Sequence, residues 1–105
     1  MEWGTMDNFR VIHRILSYLE EAMDYDKLNM ECISAKRLGV SEPRWNALMR
    51  LLTQEGYIEW KDVMQRVVIT LKGLEYLQEN PIMAAITKEI AEREASMPIV
   101  KIWIR

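Results

Sequence analysis

The sequence predicts a mainly α domain with a small β-hairpin, an α+β fold of the winged helix-turn-helix type with a C-terminal helical extension. Three observations predict it. Residues 7–23 carry one apolar stripe at helical spacing. RLGVSEPRW, residues 37–45, sets a glycine, a β-branched residue, a serine and a proline between two helical stretches. Two β-rich runs joined by a short polar connection follow directly.

At 105 residues the chain has the length of one domain, and a domain of that size buries roughly 60–70% of the surface its unfolded chain exposes. The predicted division is an N-terminal tail over 1–6, the winged helix-turn-helix over 7–80, and a C-terminal helix with an apolar tail over 81–105. Half the residues are apolar and 29% are charged, a globular balance.

Asp7 is the expected cap of a first helix whose stripe is Phe9, Ile12, Leu16, Leu19 and Met23, broadened by Val11, Ile15, Tyr18 and Ala22. DYDKLNMEC breaks the pattern and reads as a loop ending in a short extended piece, Met30 to Ile33. Ser34 caps the short run AKRL, and Gly39 stands where a helix end wants positive φ. Val40 is placed to plug the core. Ser41 caps a third helix, with Glu42 and Pro43 in its first turn, where a negative charge suits the helix dipole and a missing N–H does no harm. The break at RLGVSEPRW is therefore a tight corner between two helices.

The third helix, PRWNALMRLLTQE, turns Trp45, Leu48, Met49 and Leu52 to one side and Pro43, Ala47, Arg50 and Gln54 to the other, flanked by Asn46 and Thr53; Gly56 stops it. YIEW, KDVMQR and VVITL form the hairpin. Thr70 caps a fourth helix, LKGLEYLQEN, with Leu71, Leu74 and Leu77 along one side and Gly73 allowing close approach to a neighbour. Asn80 and Pro81 cap and begin a fifth, PIMAAITKEIAEREA, supported by the pairs Lys88 with Glu92 and Glu89 with Arg93. Met97-Pro98 ends it, and IVKIWIR reads as a strand or a partner-seeking tail.

ISAKRLGVSEPRW, LLTQEGYIEW and ITLKGLEYLQEN together resemble the YjcQ-like family of small winged-helix proteins of Gram-positive bacteria and their phages, over about residues 7–92. The resemblance implies the fold and a role in nucleic-acid binding or phage regulation, and it brings no catalytic residues. Only about half a dozen residues separate the hairpin strands here, so the expected wing is short and of little reach.

Charge is unevenly spread. The net charge is −2, yet residues 36–73 hold seven basic side chains against four acidic ones, a local excess of +3. In a helix-turn-helix the second helix enters the major groove with its first outward residues on base edges. Those are Arg44, Asn46, Ala47 and Arg50, types able to pair with guanine, pair with adenine or touch a thymine methyl. Lys36, Arg37, Lys61 and Arg66 are the phosphate candidates.

The expected function is thus a cytoplasmic, prophage-associated regulator that binds double-stranded DNA. The alternative is a protein-interaction module without DNA binding, motivated by Ile82, Met83, Ile86 and Ile90 on about one face of the last helix and by Trp103 in the tail. Those residues either complete the core or meet another protein or a second copy of the chain.

No enzyme chemistry, cofactor, metal site or small-molecule substrate is expected. His13 reads as a surface residue on the polar side of the first helix, with no second histidine. Glu20, Glu21, Asp24 and Asp26 lack calcium-loop spacing. Cys32, the single cysteine, has no disulfide partner and reads as a small buried hydrophobe suited to a reducing cytoplasm. No run approaches the apolar length that spans a bilayer, so neither membrane nor secretion is expected. Trp60 reads as a shield for the hairpin, and Trp3 and Trp103 as terminal aromatics that can cover each other.

Overall fold

The computed structural model describes residues 4–24, 28–61 and 66–95. Its element order is α1 (Thr5–Glu21), a 3-10 turn (Ala22–Asp24), a second 3-10 turn (Met30–Ile33), α2 (Ala35–Leu38), α3 (Glu42–Gln54), β1 (Ile58–Lys61), β2 (Arg66–Ile69), α4 (Leu71–Glu79) and α5 (Pro81–Ala95). This is the predicted class, mainly helical with one antiparallel hairpin.

Local chemistry sets most of the boundaries. Ser34 and Ser41 accept the backbone N–H of Arg37 and Arg44, each at 3.2 Å, and so cap α2 and α3. Between them Gly39 ends α2 at φ 72°, a left-handed conformation that costs a residue with a Cβ roughly 1–2 kcal/mol. Asn80 accepts the N–H groups of Ile82 and Met83 at 2.9 and 3.2 Å, and Pro81 opens α5.

Two local expectations are corrected. Helix α1 begins at Thr5, ahead of Asp7. Asp7 serves instead three residues into the cap, where its carboxylate accepts the Gly4 N–H at 2.8 Å. Met30–Ile33 is a 3-10 turn, not an extended piece. Among the described residues no strand lies beside it to satisfy an extended backbone, whereas Asn29 accepts the Glu31 N–H at 3.0 Å and starts the turn.

The strands pair from Ile58 with Ile69 to Lys61 with Arg66. Ile58, Val67 and Ile69 point into the core. β1 packs on α3 and β2 on α1, so the hairpin bridges two helices. Its tip, residues 62–65, and the expected short wing lie outside the described residues, as do Trp3, the Met97-Pro98 stop, Trp103 and IVKIWIR.

One apolar core joins all of this. Ile15, Leu16 and Leu19 of α1 meet Ile33, Leu48, Met49 and Leu52, the hairpin, Leu77 of α4, and Met83 and Ile86 of α5. α1 is the shared wall, packed on α4, α5 and β2. Leu71 corrects the reading of α4, because it is 73% exposed while Leu77 is buried and Leu74 half-buried. The fourth helix turns Gly73 to the hairpin instead: Thr70 accepts the Gly73 N–H at 3.0 Å and donates to the Gly56 carbonyl. Beside them the Tyr57 and Tyr76 rings stack at 4.4 Å.

His13 is corrected from surface to interior. It is 6% exposed, at the seam of α1 and α5. The Thr87 hydroxyl donates to the Met83 carbonyl at 3.0 Å, so at 2.9 Å it accepts from His13 Nε2–H, and His13 Nδ1 is left to accept from the Ser17 hydroxyl at 3.3 Å. These partners suit the neutral ring, and burial pushes its pKa below the ordinary 6.5. As pH falls the unfolded chain takes up this proton before the folded chain does. Stability from His13 is therefore full above the unfolded pKa and lost as pH falls toward the lowered folded value. Urea midpoints are expected to fall between about pH 7 and pH 5, and to fall less in His13→Gln. Equal slopes in the two proteins would contradict this.

Candidate nucleic-acid interface

α3 has two unlike sides. Leu48, Met49 and Leu52 are buried. Trp45, half-buried, is locked by a 2.8 Å bond from its indole N–H to the Ile33 carbonyl, which ties the N-terminal half of α3 to the turn before α2. On the other side Pro43, Ala47, Arg50 and Gln54 are all exposed, with Asn46 and Thr53 exposed beside them. Their spacing puts them on one line along the helix.

The first turn of α3 is split by charge. Glu42 lines a cleft with Met30, Glu31, Ser34, Ala35 and Trp45, on the inner side of the corner and off the outward line. Arg44 lies on the opposite flank, where its Nη1 donates to Asn8 Oδ1 of α1 at 3.2 Å. Sequence reasoning missed Asn8, because its partner is 36 residues away and no local pattern signals it. The tether makes Arg44 a flank residue of α3, whereas Ala47 and Arg50 stand clear on the outward line.

The phosphate candidates fall in two places. Lys36 and Arg37 are exposed on α2, beside the corner. Lys61 and Arg66 face each other across the hairpin. Lys61 is 3.5 Å from Glu59, and Arg66 lines a cleft with Leu19, Ala22, Met23 and Leu28 at the end of α1. The hairpin thus carries Lys61 on the strand that packs on α3, and Arg66 on the strand that packs on α1.

Trp60 joins the hairpin to α3. Its indole N–H donates to Thr53 Oγ1 at 3.2 Å, and the ring is 40% exposed. Cys32, expected to be buried, is half-buried.

The interaction-surface candidates separate by depth. Met83 and Ile86 are buried in the common core, so they are corrected from surface to interior. The three-to-four spacing that put them on one face is the same whether that face meets a partner or α1 and α4. Ile82 packs partly against that core and Ile90 is 37% exposed.

A short helix, a tight glycine corner, a longer helix with one side free and a hairpin behind it define a protein of the winged helix-turn-helix class. Within that class the chain belongs to the YjcQ protein family, whose model matches residues 13–93. Comparison with curated proteins and with solved structures finds no significant match. Among the described residues no helix is long and apolar enough to cross a membrane.

Proposed function

We propose that this chain binds double-stranded DNA, with α3 in the major groove, as a small regulator that carries out no catalysis. The observation that carries the reading is the exposed line of Pro43, Ala47, Arg50 and Gln54 with Asn46 at its edge, on a helix whose other side is anchored in the core. A helix anchored in this way has its backbone in place beforehand, so only the exposed side chains must be ordered at the moment of binding. Arg50 suits guanine and Asn46 adenine. Arg44, Lys36 and Arg37 stand around the corner, where phosphates pass beside a recognition helix. A prophage-associated role is the further expectation carried by the family resemblance.

Selection of the purified chain from a random duplex pool, at low and near-physiological salt, tests this. Enrichment of a motif that survives salt is the expected result, and a palindromic motif would point to two copies on one site. Arg50→Ala and Asn46→Ala should each weaken binding to that motif by about 1–3 kcal/mol and relax the preference at one position. Lys36→Ala and Arg66→Ala should weaken all sequences alike and shallow the salt dependence by about one charge. Binding without a motif, vanishing as salt rises, would overturn direct reading of sequence and leave the protein-interaction alternative.

A further inference from the structure

We infer that Leu51 is a specificity-determining residue, and that with Ala47 it recognises the C5 methyl groups of thymine; the inference rests on α3 lying in the major groove. Leu51 is 52% exposed, and it belongs neither to the common core nor to the half-buried side chains packed against it. Leu48, Met49 and Leu52 already supply the buried side of α3. Packing within the described part of the chain does not account for a leucine at position 51.

Helical spacing gives the side chain its place. Leu51 follows Arg50 by one residue and Ala47 by four, so it borders the outward line of Pro43, Ala47, Arg50 and Gln54 on the edge opposite Asn46. Ala47 and Leu51 stand one turn apart, with Cβ atoms about 5–6 Å from each other, and form a short apolar ridge. Arg44, one turn before Ala47, and Glu55, one turn after Leu51, are both exposed and bound the ridge at its two ends. The apolar stretch on this side of α3 is thus confined to two residues.

The chemistry of the groove selects what the ridge meets. Base edges there present hydrogen-bond donors and acceptors, and thymine alone adds a methyl group. A leucine laid on a guanine or cytosine edge would take polar atoms out of water and return no hydrogen bond. Laid on a thymine methyl, it removes apolar surface of both partners from water. The separation of Ala47 and Leu51 matches one or two base-pair steps of about 3.4 Å each. The bound site should therefore carry two thymines, adjacent or one pair apart.

The test replaces thymidine by deoxyuridine, one position at a time, in the duplex motif selected by the full chain. That exchange removes only the methyl group. At two thymines the parent should lose about fourfold in affinity, the factor that burial of one methyl supplies. Leu51→Ala is an exposed change to a better helix former and should leave the urea midpoint near that of the parent. It should bind the thymine duplex about fourfold more weakly and be indifferent to deoxyuridine at one of the two positions. Arg50→Ala should bind more weakly yet keep the thymine preference at both. A selected motif without thymine, a parent indifferent to the exchange, or a Leu51→Ala variant that keeps the whole preference would overturn this inference and leave DNA reading by α3 standing. Failure to select any salt-resistant motif would overturn both. A parent that sediments as a dimer without DNA, with Leu51→Ala a monomer, would assign the leucine to contact between copies and overturn the inference too.

Discussion

Gly73→Ala is expected to destabilise the protein by about 2–3 kcal/mol, although alanine is the better helix former by about 1 kcal/mol. A Cβ at position 73 would stand 2.2 Å from the Tyr57 carbonyl oxygen and 2.8 Å from Ile69 Cγ1. Neither neighbour can yield cheaply. The Tyr57 carbonyl accepts the Thr70 N–H at 3.0 Å, the bond that closes the hairpin onto the start of α4. Ile69 is buried and paired with Ile58. Relief requires α4 to lift away from Tyr57 and Ile69 at the base of the hairpin, which would also disturb the Tyr57–Tyr76 stack. A lowered urea midpoint with an unchanged slope is the expected readout. A midpoint equal to or above that of the parent would show that α4 does not dock this closely.

Met83→Ala is the second large effect, an expected loss of about 2–5 kcal/mol. Met83 is fully buried, and its truncation opens a cavity between α5 and the rest of the core. The matching change on the outer side of the same helix, Ile90→Ala, should cost under about 1 kcal/mol, because that side chain is partly exposed. The contrast between the two variants reads out which side of α5 faces inward. Similar, small losses at both positions would mean that α5 is an appendage to the winged helix, available for a partner along its whole apolar face.

The candidate interface was largely legible from residues alone, and for a specific reason. Ser34, Gly39, Ser41 and Pro43 act within one helical turn of themselves, so their chemistry appears in the sequence as a contiguous signal. Once the corner is placed, a 3.6-residue period decides that Ala47 and Arg50 face away from Leu48 and Leu52. Arg44 shows the limit of this reasoning. Periodicity puts it near the outward side, but Asn8, far away in the chain, draws its guanidinium toward α1.

Other departures share that cause. His13 has no local sign of burial; it is enclosed because α5 returns across α1 and supplies Thr87, 74 residues later. Leu71 continues the leucine pattern of α4, yet the turn at Thr70 points it to solvent while Gly73 takes the contact with the hairpin. Met30–Ile33 has strand-like composition, but an extended segment needs a neighbouring strand, and only the assembled fold decides whether one is present.

By itself, then, the sequence determined where α2, α3, α4 and α5 start, the corner between α2 and α3, the pairing of two β-rich runs, and which side of α3 is apolar. Those properties arise from caps, backbone preferences and periodicity over a few residues. The tertiary structure alone decided which apolar faces meet: that α5 belongs to the core, that His13 is a buried link, and that Arg44 is tethered. These depend on contacts between residues dozens of positions apart, whose energy is gained only when the whole chain closes around α1.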